Sequence, residues 1–428
     1  MEILILVLTF VVLIAIGVPI AWSIGLSSIF TMLVSIPALP AVTTVAQRMA
    51  TGLDSFALLA IPFFVLAGQI MSRGGIARRL IDFAKTLVGS FPGGLAYVNI
   101  IAAMLFGAIS GSSVAAASAL GSMLGKRMEE EGYPKEFSAA VNVTSATTGL
   151  VIPPSNILIV YSLASGGVSI AALFLAGYIP GILTGAFLMI VAAVWAKRKG
   201  LAVGERSKLR EVVKTFFDAF PSLLLLVVVI GGIVAGIFTA TEASAVAVLY
   251  CLALTFIYKE VTWGEIPSIF LNSVKTTAIV MLLIGTSMSM SWIMAYENIP
   301  QNITELLLSV SDSKIIILLL INLTLLFVGI FMDMTPAVLI FTPIFLPVVT
   351  EMGMDPTHFG IIMVLNLCIG LCTPPVGSVL FIGVGVAGTT IQKVIRPLLP
   401  LFIAMIIALI IVTYVPALSL WLPGLFGL

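Results

Sequence analysis

Three short clusters in this chain place oxygen ligands inside almost wholly apolar sequence. Ser110-Gly111-Ser112-Ser113 presents three hydroxyls around a glycine, Ser155 and Asn156 follow directly on Pro153-Pro154, and Asp333 and Thr335 lie in Gly329-Ile330-Phe331-Met332-Asp333-Met334-Thr335-Pro336. Hydroxyl, amide and carboxylate oxygens are hard ligands, of the kind a small cation such as Na⁺ requires and a transition metal does not. An acid in a strongly apolar hairpin is expensive and usually functional, so Asp333 reads as a group that binds a cation or holds a substrate donor. The alternatives are plain. The serines could serve only close helix packing, and Asp333 could cap the helix that starts at Thr335-Pro336. The coincidence of polar residues with a chain break favours the ligand reading.

Such oxygens are useful only where the backbone around them is irregular. Gly149-Leu150-Val151-Ile152-Pro153-Pro154 recurs 221 residues later as Gly370-Leu371-Cys372-Thr373-Pro374-Pro375. Both copies sit in runs apolar enough to span a membrane, and a Pro-Pro pair cannot sit inside a regular helix. A broken helix frees carbonyls that attract a cation at one half-helix end and N–H groups that attract an anion at the other. Thr373 and Gly377, in the second break, complete a second set with Gly329, Asp333 and Thr335.

The rest of the chain is built to hold these breaks in a bilayer. Of its 428 residues 60% are hydrophobic and 9% charged, against roughly 25% charged for a soluble domain. Candidate spans are Ile3–Ile36, Ser55–Met71, Ile170–Ala196, Pro221–Phe238, Thr241–Tyr258, Thr277–Tyr296 and Pro397–Trp421, each with the roughly 20 apolar residues a crossing needs, or more. Gly17-Val18-Pro19 divides the first into two short helices. Met1-Glu2 offers no basic leader, so this stretch is expected to stay as a membrane element. Continuous rather than alternating apolar runs exclude a β-barrel. The net charge of +1 points to no nucleic-acid partner.

Basic residues give the orientation. Arg73, Arg78, Arg79 and Lys85, then Lys126, Arg127 and Lys135, then Lys197, Arg198, Lys199, Arg206, Lys208, Arg210 and Lys214 mark the cytoplasmic side, with Lys259, Lys275, Lys393 and Arg396. The segment at about 92–128 has basic residues on both sides and a Gly/Ser centre, so it reads as a re-entrant hairpin; a broken span at about 137–165 follows. A second hairpin at about 313–353 is flanked by Asp312, Lys314, Glu351 and Asp355 and reads as external, and a second broken span covers about 358–387. The fold expected is an all-α polytopic membrane protein of two inverted-topology repeats, 1–200 and 201–428, each with a re-entrant hairpin and a broken helix. On this reading the two tips are reached from opposite faces, Ser112 from the cytoplasm and Thr335 from outside.

Other residues are weaker candidates. Arg78–Lys85, Glu211–Asp218 and Trp263–Lys275 carry charges at helical spacing and read as interfacial helices. Glu242 reads equally as a helix cap and as a site residue, Arg48 and Asp54 as residues that attract an anion or, more simply, as a surface ion pair, and His358 as a structural residue at the external edge. Cys251, Cys368 and Cys372 read as packing residues; no disulfide or transition-metal pattern is present.

The stretch Gln47 to Gly68 (QRMATGLDSFALLAIPFFVLAG) resembles the signature of the large membrane subunit of tripartite ATP-independent periplasmic (TRAP) transporters. So do Gly107-Ala108-Ile109-Ser110-Gly111-Ser112-Ser113, Val151-Ile152-Pro153-Pro154-Ser155, Gly236–Ala243 and Cys372-Thr373-Pro374-Pro375-Val376-Gly377; one departure is Ala240, where the family commonly has Pro. The resemblance covers essentially the whole chain. It implies a bacterial inner-membrane carrier of the elevator type. Its partners would be a small membrane (Q) subunit and a periplasmic substrate-binding (P) protein that delivers an organic acid, with Na⁺ as coupling ion. Carried over by position, Ser110, Gly111, Ser112, Ser113, Pro153, Ser155 and Asn156 would form one Na⁺ site, and Gly329, Asp333, Thr335, Thr373 and Gly377 the other. The substrate would lie between them on Ser113, Asn156, Asp333 and Thr335. C4-dicarboxylates, sialic acid and other carboxylates are the family's substrates, and the expectation leans to sialic acid without a residue that decides it.

Three function classes are open to a helical membrane chain. A secondary transporter explains repeats and broken helices together. In a channel two opposed hairpins would plug the pore. A membrane enzyme would need a nucleophile, a metal cluster or an acid pair, and only scattered single acids are present; no Gly-Lys-Ser/Thr phosphate loop offers direct ATP drive.

Overall fold

The computed structural model describes residues 2–73, 75–200, 208–311 and 313–428; Met1, Arg206 and Asp312 lie outside the described residues. The first half runs through α1 (Glu2–Ala15), α2 (Ile20–Ser35), α3 (Ala38–Leu53), α4 (Ala60–Arg73), α5 (Ile76–Val88), α6 (Gly94–Ser110), α7 (Ser113–Glu130), α8 (Lys135–Thr148), α9 (Asn156–Ala164) and α10 (Ile170–Lys199). The second runs through α11 (Leu209–Val234), α12 (Ala240–Tyr258), α13 (Ile266–Tyr296), α14 (Ile299–Val310), α15 (Lys314–Phe331), α16 (Met334–Glu351), α17 (Pro356–Gly370), α18 (Ser378–Ala387), α19 (Ile391–Tyr414) and α20 (Ala417–Leu425). No strand occurs among the described residues, and eight helices are long and apolar enough to cross a membrane. The protein is a polytopic helical membrane protein.

Element boundaries keep the spacing of the sequence repeat. α7 and α16 open at Ser113 and Met334, α8 and α17 at Lys135 and Pro356, α10 and α19 at Ile170 and Ile391, each pair 221 residues apart. The local causes correspond at the Pro-Pro breaks but differ at the hairpin tips, where Met332 of the second tip is extended rather than left-handed. α6 turns into α7 at Gly111, whose φ of 60° lies in the left-handed region that glycine enters without a Cβ penalty. Ser112 then caps α7 by accepting from the Ala115 N–H at 3.2 Å. α8 and α17 each stop a few residues before their Pro-Pro pair and resume as α9 and α18.

Several elements differ from the sequence expectation. Glu211–Asp218 and Trp263–Lys275 are not separate interfacial helices: the first lies within α11, and most of the second forms the start of α13. Pro267, in the first turn of α13, has no N–H to lose there, so nothing separates the charged turns from the apolar ones. Arg78–Lys85 does form its own helix, α5. Pro397–Trp421 is two helices, α19 and α20, because Pro416 follows the end of α19. Ser55–Met71 begins as a 3-10 turn, Phe56–Leu59, before α4.

The helices fall into two packed sets. α1–α4 pack with α11–α13; α6–α10 pack with α15–α20. α5 and α14 lie between them, α5 on α6 and α11, α14 on α13 and α16. Lipid is as apolar as leucine, so burial alone does not hold membrane helices together; close packing and polar contacts do. The two broken helices are the most enclosed elements: every residue from Phe137 to Thr148 in α8 and from His358 to Gly370 in α17 is buried. They touch through the cysteines. Cys368 Sγ donates to the Thr147 carbonyl at 3.2 Å and Cys372 Sγ to that of Val143 at 3.4 Å, which is a packing role.

Candidate functional site

One cavity of about 230 Å³ collects most of the predicted site residues. On one wall are the first tip (Ser110, Gly111, Ser112, Ser113), Asn156 at the start of α9, and Asp333 and Thr335 at the second tip. Three helices, α7, α9 and α16, present their N-termini here through Ser113, Asn156 and Met334, while α6 ends at Ser110. The cavity thus meets both signs of helix-end partial charge. The two tips share this one space, so the expectation that they are reached from opposite faces is corrected: a single state exposes Ser112 and Thr335 together. Each hairpin packs against its own broken helix, α6 and α7 on α8, α15 and α16 on α17.

The polar groups of this wall are not equally free. Ser112 is committed to its cap, and the Ser110 hydroxyl turns back to the Ser112 carbonyl at 3.4 Å. Asn156 lies against Gly111, where a Cβ would stand 2.7 Å from its Nδ2, and its buried Oδ1 has no hydrogen-bond partner. A buried amide oxygen without a donor costs free energy unless something supplies a positive charge or a proton. Asp333 occupies the N-cap position of α16, and the residue is open to the cavity. Its carboxylate is reached by the N–H of Met334, the first residue of α16, so a capping role competes with the cavity role. Among the described residues no Lys, Arg or His lines the cavity.

Five predicted residues lie off this cavity. Pro153 packs its ring against Gly177 of α10. Ser155, fully buried, donates its hydroxyl to the Leu150 carbonyl across the first break. Thr373 donates to the Ile369 carbonyl at 2.7 Å. Gly377 marks a convergence of carbonyls, since a Cβ there would stand 2.8 Å from the Leu371 oxygen and 2.9 Å from that of Thr373; Leu371 itself reaches the cavity. Gly329 is in a helix crossing, against Gly370.

α4 and α13 also line the cavity, and the sequence reading missed them. Gln69 and Ser72 on α4 and Thr276 on α13 line the cavity with apolar neighbours such as Val65 and Val280. Ser72 and Thr276 bond to carbonyls of their own helices, Gln69 and Asn272. The Gln69 amide makes no hydrogen bond within the protein among the described residues. A lone amide inside the apolar run Ser55–Met71 was the available signal.

A second layer of polar contacts ties each hairpin to its broken helix. Ser145 donates to Asn99 Oδ1 at 2.8 Å, and Asn366 Nδ2 to Asn322 Oδ1 at 2.6 Å. The remaining candidates take other roles. Glu242 forms a capping box with Thr239, which removes it from the site. Arg48 does not pair with Asp54; its guanidinium lies 5.4 Å from the centre of the Trp292 ring. His358 is wholly buried, with Nε2 at 3.3 Å from the Thr413 carbonyl, a structural contact.

A polytopic helical bundle enclosing a polar cavity between two hairpin tips and a broken helix has the build of a membrane transport protein. The chain belongs to the tripartite ATP-independent periplasmic transporter family, DctM component, whose profile matches residues 7–418. It is 57% identical to the uncharacterized protein YgiK of Salmonella typhimurium over 98% of this chain and 96% of that protein. It is 43% identical to the C4-dicarboxylate TRAP transporter large permease protein of Pseudomonas aeruginosa, over 95% of each. Its fold is similar to that of the Alcanivorax borkumensis YdaH transporter, with a TM-score of 0.66, 12% identity and coverage of 90% of this chain and 89% of that one. As a TRAP large permease it is a multi-pass protein of the bacterial inner membrane and a transporter component, not an enzyme.

Proposed function

We propose that this chain is the carrier subunit of a Na⁺-coupled uptake system for an organic acid of the C4-dicarboxylate or sialic acid class. A periplasmic binding protein hands over the acid, and a small membrane subunit completes the membrane part. One observation carries the reading: two hairpin tips and a helix break supply an acid, hydroxyls and an unpartnered buried amide oxygen to one cavity that has no basic side chain among the described residues. An anionic substrate in such a place needs counter-charge. Na⁺ fits the donor set, which is all oxygen: Asn156 Oδ1 with the Ser110–Ser113 tip in one half, and Asp333, Thr335 and the converging carbonyls of Leu371 and Thr373 beside Gly377 in the other. Ser113, Asn156, Asp333 and Thr335 would hold the substrate between them. Pro153, Ser155 and Gly329 would act by fixing the backbone of the sites.

The matched element boundaries support two repeats, 1–200 and 201–428, and the distribution of basic residues supports their opposite orientation in the membrane. The two packed sets of helices support an elevator motion, with α6–α10 and α15–α20 moving against α1–α4 and α11–α13. The scaffold wall of the cavity runs to Ser72 and Thr276, neighbours of the basic residues Arg73 and Lys275. By the bias of basic residues this is the cytoplasmic end, so the cavity belongs to an inward-facing state. Reconstitution with the small subunit and the binding protein tests the coupling. Uptake of succinate and N-acetylneuraminate is measured in liposomes under Na⁺, K⁺ or proton gradients; uptake as fast without Na⁺ as with it overturns the reading.

A further inference from the structure

Gly68 on α4 touches the backbone of the first hairpin tip. A Cβ built on it would stand 2.7 Å from the Ser110 carbonyl oxygen, 3.0 Å from Ser110 Cα and 3.1 Å from Ser110 C. These are backbone atoms at the end of α6, so no side chain can swing away to make room. Most other close glycine contacts stay within one set of helices. Gly107 and Gly149 meet inside the hairpin set, as do Gly329 and Gly370, while Gly25 meets Thr286 and Gly52 meets Met288 inside the other. Among the described glycines, Gly68 alone brings backbone against backbone across the boundary between the sets. Gly68 also lines the cavity beside Gln69.

We infer that Gly68 is a positioning residue of the transport cycle: its missing side chain lets the first hairpin tip dock on α4 in this inward-facing state and in no other. The inference rests on the elevator reading above. If the hairpin set slides, Ser110 leaves Gly68, and a methyl group there meets nothing that demands glycine. Gly68 lies within a regular helix, where alanine is the better helix former. Alanine at 68 therefore penalises one state and spares the other, which is the condition for shifting a two-state balance. Overpacking a close contact of this kind shifts such a balance roughly 5- to 150-fold. A glycine needed only for packing within a rigid unit would instead weaken the protein in every state.

The test uses the full chain, co-expressed with its partner subunits, in sealed membrane vesicles of both orientations. Thr335→Cys supplies a thiol in the cavity, and the three native cysteines are wholly buried, so an impermeant thiol reagent reports position 335. Without the glycine change, labelling is expected mainly from the cytoplasmic face. Adding Gly68→Ala should raise the ratio of outside to inside labelling about tenfold or more, with thermal stability close to that of the parent. Gly149→Ala, which overpacks a contact inside the hairpin set, should lower stability without moving the ratio. An unchanged ratio with Gly68→Ala overturns the inference. So does a loss of folded protein as large as with Gly149→Ala, because the contact would then be required in all states. Labelling from one face alone in parent and Gly68→Ala, across Na⁺ and Na⁺-free buffers, removes alternating access itself and this inference with it.

Discussion

Gly107 of α6 and Gly149 at the end of α8 meet backbone to backbone: a Cβ on Gly107 would stand 2.8 Å from Gly149 Cα. The same meeting recurs in the second half, where a Cβ on Gly329 would stand 3.0 Å from Gly370 Cα. Each crossing sits just before a Pro-Pro break, so it fixes how the hairpin lies on the helix whose end opens into the site. Helices in lipid gain stability from such close approaches, not from burial. Gly149→Ala and Gly370→Ala should each cost about 1–3 kcal/mol by overpacking. Thermal unfolding in detergent reads this as a lowered midpoint for both; a midpoint unchanged in either would show that the crossing has slack.

α5 is fastened to the first helix set by two kinds of contact. Arg78 Nη2 lies 2.8 Å from Glu260 Oε1, with side chains 57% and 26% exposed. Arg79 lies over the Tyr258 ring, 3.6 Å from its centre. An exposed ion pair contributes about 0–1 kcal/mol, while a partly desolvated cation–π contact reaches about 2 kcal/mol. Tyr258→Leu should therefore lower the unfolding midpoint more than Glu260→Gln does. The reverse order, with a strong salt dependence, would make the fastening ionic.

Much of this architecture is legible in the sequence because its signals are categorical. A Pro-Pro pair cannot be helical, so both breaks and the residues beside them, Ser155, Asn156, Thr373 and Gly377, stand out from composition alone. Asp333 stands out for the same reason, as a charge in an apolar run. What escapes is whatever depends on three-dimensional approach. Gln69 reaches the cavity only because α4 crosses the hairpin tip at Gly68, and neither residue carries a local signal that names its neighbour. The sharing of one cavity by both tips is likewise a matter of how far α6 and α16 reach, which periodicity does not report. The continuity of α11 and α13 was hidden by charge, since charged first turns read as interfacial even when the helix simply continues beyond the bilayer.

Asn156 separates a ligand role from a packing role. Its Oδ1 is buried without a partner, while its Nδ2 lies against Gly111. Asn156→Leu keeps the approximate volume and removes the oxygen. If that oxygen helps hold Na⁺, the apparent Na⁺ affinity of uptake should fall about tenfold or more, the factor that about 1.4 kcal/mol represents. The maximal rate should largely return at saturating Na⁺. A lowered maximal rate at every Na⁺ concentration, with the half-saturating concentration unmoved, would assign Asn156 to structure instead.

Asp333 gives the sharpest separation, because its competing role makes a different prediction. A capping aspartate accepts from the helix N–H groups, and its loss costs about 0.5–2 kcal/mol of stability. Asp333 reaches only the Met334 N–H, opens into the cavity and is the only acid that lines it among the described residues. Asp333→Asn preserves size and hydrogen-bonding capacity and removes the charge. Transport should fall to the background of empty liposomes, while the unfolding midpoint and assembly with the small subunit stay at parental values. Asp333→Glu, which keeps the charge on a longer stem, should retain a fraction of the rate with weakened Na⁺ dependence. Uptake by Asp333→Asn at the parental rate would leave the cavity without its charged group in the transport cycle, and the Na⁺ site of the second half would have to be sought among the carbonyls beside Gly377.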